Sequence, residues 1–171
     1  MRLRIPSVAA ASVALVLVQP GLAGAASDPS TTVTFVVTSG ALSMSVPVSA
    51  DLGSGAPGTQ VGAPIGAVTV TDDRALLSAS WSVAASSTDF TNGSSTIAAT
   101  RATYTVGAVT TTGTITATPT NITLSNSPQV VVTGSAGVGD NTASRDPAIS
   151  VDLPAGAVGG SYSGTLTHSV A

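Results

Sequence analysis

Along residues 32–48 apolar and polar side chains take turns. TVTFVVT sets Val33, Phe35 and Val37 on one side, and LSMSVPV does the same with Leu42, Met44, Val46 and Val48. A period of two marks a strand with one buried face, so both runs are expected to be strands, with Ser39-Gly40 as a tight turn between them. Further strands are expected at IGAVTVT (65–71), WSVAA (81–85), ATYTVGAV (102–109), GTITAT (113–118) and NITLS (121–125). QVVVTG (129–134), AISVDL (148–153) and SYSGTLTHSV (161–170) complete the set. No window carries an apolar period of 3.6, β-branched residues dominate, and no internal repeat recurs at a fixed spacing. Gly and Pro punctuate at short intervals, as in NGS, TPTN and LPAGAVGG, while DLGSGAPGTQVGAP (51–64) reads as an ordered loop. Many short strands so spaced predict an all-β fold, a single-domain antiparallel β-sandwich, Greek-key-like, with short loops and little or no helix.

The first residues follow another logic. MRLR carries two arginines, VAAASVALVLV (8–18) is an apolar core, and GLAGAAS offers small residues for cleavage. This is the layout of a secretory signal peptide over residues 1–26, cut near Ala25 or Ala26, with one domain over 27–171. The apolar core is too short for a bilayer span of ~20 residues, so no stable membrane span is expected after cleavage.

Composition narrows the function classes. The chain has no Lys, Glu or Cys, and all of its charge is Arg or Asp. With two of five arginines in the leader, three Arg face eight Asp and the exported part carries a net −5. Such a chain has no basic patch for nucleic acid or for anionic lipid. An exported domain without cysteine must be held by its apolar core, and about 145 residues suffice to build one.

Two stretches resemble a known family. VTDDRALLSASWSVAASSTDF resembles the first conserved block of the WxL cell-wall domain, with Asp72, Arg74, Trp81, Val83 and Phe90 at the motif positions. LPAGAVGGSYSGTLTHSVA resembles the last block, where a Pro-containing turn leads to Gly-x-Tyr at Tyr162 and to a second W-x-L. Here the two motifs read Trp81-Ser82-Val83 and His168-Ser169-Val170, with valine for leucine in both and histidine for the second tryptophan. The similarity runs from about residue 65 to the end, and is closest to divergent exported proteins of actinobacteria. It implies a location at the Gram-positive-type cell wall, non-covalent binding of peptidoglycan, and Trp81, Val83, His168 and Val170 as the wall-binding candidates. Asp72, Arg74, Phe90 and Tyr162 take structural places. The resemblance also requires the closing strand to lie beside the strand of Trp81.

Read from the residues alone, these candidates tilt toward structure. Trp81 is one of only five aromatics, whereas sugar-binding faces offer several exposed together, so the indole is expected in the core. His168 shares a strand face with Tyr162, Leu166 and Val170, where a lone histidine is ordinarily a hydrogen-bonded core or rim residue. As the only His in a chain without Cys or Glu it cannot complete a zinc set, and no G-x-S-x-G elbow accompanies it. Asp72 and Arg74 are expected to pair bidentately in a turn. GDNTASRD reads as a loop gathering Asp140, Asn141 and Asp146, oxygen-rich enough to interest calcium; it does not fit the D-x-[DN]-x-[DN]-G pattern, and Asx turns are the default. Asn92-Gly93-Ser94 reads as a turn.

No cofactor, metal or catalysis is expected. The chain reads as a non-catalytic exported surface protein associated with the cell envelope, its partner a wall polymer such as peptidoglycan or another surface protein. The other open reading is a structural or adhesive sandwich subunit that assembles by edge-strand pairing.

Overall fold

The computed structural model describes residues 30–171, so the expected leader lies outside the described residues. The chain divides into two units, Met1–Val36 and Val37–Ala171. Of the first, residues 30–36 carry no regular secondary structure. The second is all-β: antiparallel sheets stacked as a sandwich that nearly closes on itself. Its strands are β1 (Leu42–Ser45), β2 (Gln60–Pro64), β3 (Val68–Asp72), β4 (Ala79–Ser87), β5 (Phe90–Thr91) and β6 (Thr96–Ile97). They continue with β7 (Ala102–Thr105), β8 (Val109–Pro119), β9 (Ile122–Thr123), β10 (Gln129–Arg145), β11 (Ala148–Asp152) and β12 (Leu166–Val170). One 3₁₀ turn, Ala99–Arg101, is the only helical piece among the described residues.

β10 organises the larger sheet. On one side it pairs with β8; on the other, its first half pairs with β4 and its last residues with β3. β3 and β4 thus run as one interrupted strand along β10, flanked in turn by β1 and β12. The second sheet is ordered β2, β11, β7, β9. Only β5–β6 joins consecutive strands, so the sandwich is closed by pairings between residues distant in sequence.

Three chain segments pass from one sheet to the other at the same corner: β2 to β3, β7 to β8 and β10 to β11. There Gly66 and Gly107 take positive φ (95° and 74°), which glycine adopts without a Cβ clash. The Gly66 amide donates to Asp146 Oδ1 at 3.1 Å, and the Ile65 amide to the Pro147 carbonyl at 2.8 Å. The inward faces of the two sheets meet in a core of Val68, Val70, Trp81, Val83, Tyr104, Leu124, Val132, Ile149 and Val151.

Several expectations need correction. Residues 32–38 form no strand: Val33, Phe35 and Val37 are 72–84% exposed, because no described strand offers their backbone a partner. Ser39-Gly40 is not a hairpin turn; the Gly40 amide donates to the Asp73 carbonyl at 2.6 Å, extending the β1–β3 pairing. β1 stops at Ser45 as Pro47 approaches, leaving Val46 and Val48 exposed where burial was expected. The expected loop 51–64 ends in a strand, β2, paired with β11. GDNTASRD is likewise no loop but the end of β10 and the corner after it, and Asp140 and Asp146, six residues apart along extended chain, stand ~20 Å apart. They cannot share a calcium ion.

Candidate functional site

The two W-x-L-type motifs are neighbours. β12 pairs with β4 in antiparallel register, Val170 opposite Val83 and His168 opposite Ala85. Reciprocal bonds between Ser82 and Ala171, at 2.8 and 3.1 Å, extend the pairing past the strand end. The motifs do not, however, present a binding face. Trp81 is 3% exposed and Val83 fully buried, so neither has surface to offer a wall polymer. This corrects their place among the wall-binding candidates. Both alternate to the inward side of β4, whose even-numbered positions from Ser80 to Ser86 face outward. The indole lies across from Gly134 on β10, and its Nε1 finds no acceptor among the described residues.

His168 and Val170 face inward and are half-buried. His168 Nε2 shares a hydrogen bond of 3.0 Å with the hydroxyl of Tyr104, a fully buried residue of β7, so the contact spans the two sheets. The rings meet edge to face at a centroid distance of 5.6 Å. Burial, with the Arg145 cation adding to it, lowers the His168 pKa to about 4, so the imidazole is neutral at physiological pH. Burial pushes the Tyr104 phenol up, against the pull of Arg145.

Arg145 is the residue that sequence reasoning missed. It closes β10 between Val68 and Val109, points inward and is 3% exposed. Among the described residues none of its three guanidinium nitrogens makes a hydrogen bond of full geometry, although it lies close enough to Tyr104 to pull on its phenol. The signal was available in the spacing of Asn141, Ala143 and Arg145, which alternate to the buried face. Reading GDNTASRD as a loop concealed it.

Asp72 and Arg74 close the gap between β3 and β4. Arg74 Nε donates to Asp72 Oδ1 at 2.7 Å and Nη2 to Oδ2 at 2.9 Å, while Nη2 also reaches the Ser80 carbonyl at 2.9 Å. The carboxylate is buried, and the Arg74 hydrogen bonds hold its pKa below the usual carboxylate range. This is a fork geometry that ties two strand ends together.

Phe90 and Tyr162 line a cleft between loops and strand ends. That cleft, of about 410 Å³, is framed by the 50–57 loop, Val61, Leu153 and residues 157–164; Tyr162 is anchored by its hydroxyl donating to the Val158 carbonyl at 2.9 Å. A smaller one of about 240 Å³ lies between residues 46–52 and β12, with His168 and Phe90 on its walls. Asn92 makes the turn expected of it, its Oδ1 accepting the Ser94 and Ser95 amides at 3.1 and 2.8 Å. Among the described residues no three His, Cys, Asp or Glu side chains gather as a metal site would need.

The remaining feature is an edge. β8 has eleven residues, pairs among the described residues with β10 alone, and leaves most of its length exposed. It carries no charge, and the stretch between Arg101 and Asp140 has none at all. Comparison with protein-family models, with curated proteins and with solved structures finds no match to this chain.

Proposed function

We propose that this is a non-catalytic, exported surface subunit that joins its partner by β-strand addition. The observation that carries the reading is β8, a long uncharged strand with one side of its backbone unpaired among the described residues. Natural sheets blunt such edges with charge, proline or short length, because an open ladder templates another strand. Here a single proline, Pro119, stands at the far end. Main-chain bonds would supply the affinity of such a contact and alternating side chains its register. The leader-like N-terminus and the resemblance to WxL domains support a place at the cell envelope.

Sedimentation velocity over a wide concentration range tests this. Association that grows with concentration and is lost in Thr116→Asp, a charge set on the exposed face of β8, is the expected result. A wild-type protein that stays monomeric and pairs with no envelope protein would sink the reading.

A second reading, binding of peptidoglycan, draws on the 410 Å³ cleft, whose Phe90 and Tyr162 are the aromatics a sugar could reach. Wall pull-down lost in the Phe90→Ala, Tyr162→Ala double variant, and kept in Thr116→Asp, would favour it over strand addition.

A further inference from the structure

We infer that the strand added to β8 is residues 33–38 of a second copy of this chain. The inference rests on the edge-pairing reading above and names its partner. Residues 32–38 have the alternation of a half-buried strand but no strand partner among the described residues, and they leave Val33, Phe35 and Val37 in solvent. Adjacent exposed apolar side chains of this kind mark a surface awaiting a partner.

The acceptor matches in length, face and charge. Gly113, at φ 72°, and the register shift between Val138 and Thr142 interrupt the ladder, leaving residues 114–119 as an edge of six, opposite which β10 carries a further shift between Ser135 and Val138. Along that edge Ile115 and Ala117 pack toward the core and are only half-buried, while Thr114, Thr116 and Thr118 point out. An antiparallel strand can set Phe35 opposite Ala117 and Val37 opposite Ile115, large against small and over the open rim of the core. Thr34 then meets Thr118 and Thr38 meets Thr114, the hydroxyl pairs that antiparallel faces favour. A slip of one residue would turn Val33, Phe35 and Val37 to solvent and set Thr34 and Thr38, with Val36, against the core. Neither segment bears a charge to oppose the contact.

The chain's own β8 is a poor target. β1 is separated from β8 by β3 and β10, so a strand beyond β8 lies four spacings, ~19 Å, from β1 across the sheet. The link from Thr38 to Leu42 covers at most ~14 Å.

The absence of native cysteine makes the test direct. Thr34→Cys and Thr118→Cys proteins are purified separately, mixed and oxidised. A disulfide-linked heterodimer is expected, because opposed residues fall within disulfide reach. Val33→Cys mixed with Thr118→Cys, on opposite faces, should give at least tenfold less. Equal yields from the two mixtures, or none from either, overturn the inference. So does a Thr34→Cys, Thr118→Cys double variant that links only within one chain at monomer mass. Phe35→Asp, in the exposed segment, separates the two levels. Wild-type assemblies that survive it while remaining sensitive to Thr116→Asp keep edge pairing and dismiss residues 33–38 as the donor.

Discussion

Trp81 on β4 stands opposite Gly134 on β10, and its indole lies over the glycine's Cα where a side chain would otherwise be. A Cβ added at Gly134 would fall inside contact distance of the ring atoms Cδ2 and Cζ2, both 2.6 Å away. One bare glycine thus makes room for the largest side chain in a core built mainly from aliphatic residues, and the ring covers backbone that glycine leaves exposed. Gly134→Ala should cost about 1–3 kcal/mol through overpacking, and Trp81→Ala about 3–5 kcal/mol through the cavity it leaves. Urea unfolding followed by circular dichroism measures both. Wild-type tryptophan emission should be blue-shifted and poorly quenched by iodide; red-shifted, quenchable emission would place the indole outside the core.

His168 gives the fold an acid sensitivity with a defined window. Its pKa is about 4 in the fold against about 6.5 unfolded, so between these values the unfolded chain binds the proton first. Stability should therefore fall as pH drops from 6.5 to 4 and level off below. The loss is at most about 3 kcal/mol, and less to the extent that water screens the half-buried ring. His168→Gln should flatten the stability profile in that window. An unchanged slope would reassign the effect.

Asp72 acts at lower pH and through a different partner. Its depressed pKa means that the carboxylate stabilises the fold above its unfolded pKa, near 3.9, and that this contribution disappears as pH falls through the folded value. Arg74→Ala should lower the melting temperature clearly at pH 7, where it leaves a buried carboxylate without its fork. The difference from wild type should shrink near pH 2. A constant difference across that range would show that Arg74 matters for packing and for its bond to Ser80, rather than for charge.

Arg145 is a buried cation close to Tyr104 and His168 whose guanidinium makes no hydrogen bond of full geometry among the described residues, and such a charge is costly. Arg145→Met keeps the bulk of the side chain and removes the charge. It should be neutral or stabilising, by up to about 4 kcal/mol. The same variant should raise the pKa of His168, because the nearby cation disfavours the imidazolium. With one histidine in the chain, NMR titration reads this without ambiguity. A destabilised variant whose His168 pKa is unmoved would contradict both expectations.

β12 completes the sheet on the strand of Trp81. Deleting residues 161–171 removes the ladder to β4, the partner of the Tyr104 hydroxyl, and the cover that Leu166 and Val170 give the core. Cooperative thermal unfolding should then be lost. A melt close to that of the intact protein would show that β4 tolerates being an edge.

The alternating pattern by itself determined the fold class and most strand positions, because a period of two has one physical solution once a face is buried. It also pointed to the inward placement of Trp81, the turn at Asn92 and the pairing of Asp72 with Arg74, all of which are local or follow from size and scarcity. Where alternation had no partner to meet, it misled: residues 32–38 carry as clear a pattern as β3, yet only β3 lies between neighbours that take up its backbone bonds. Tertiary structure alone decided that β10 runs through to Arg145, since polar residues such as Asp140, Asn141 and Arg145 disguise a strand when its partners lie distant in sequence. It alone set Tyr104 against His168, 64 residues apart. And it alone left β8 at the rim, because an edge is a property of which strands are absent beside it, and no residue within the strand records that.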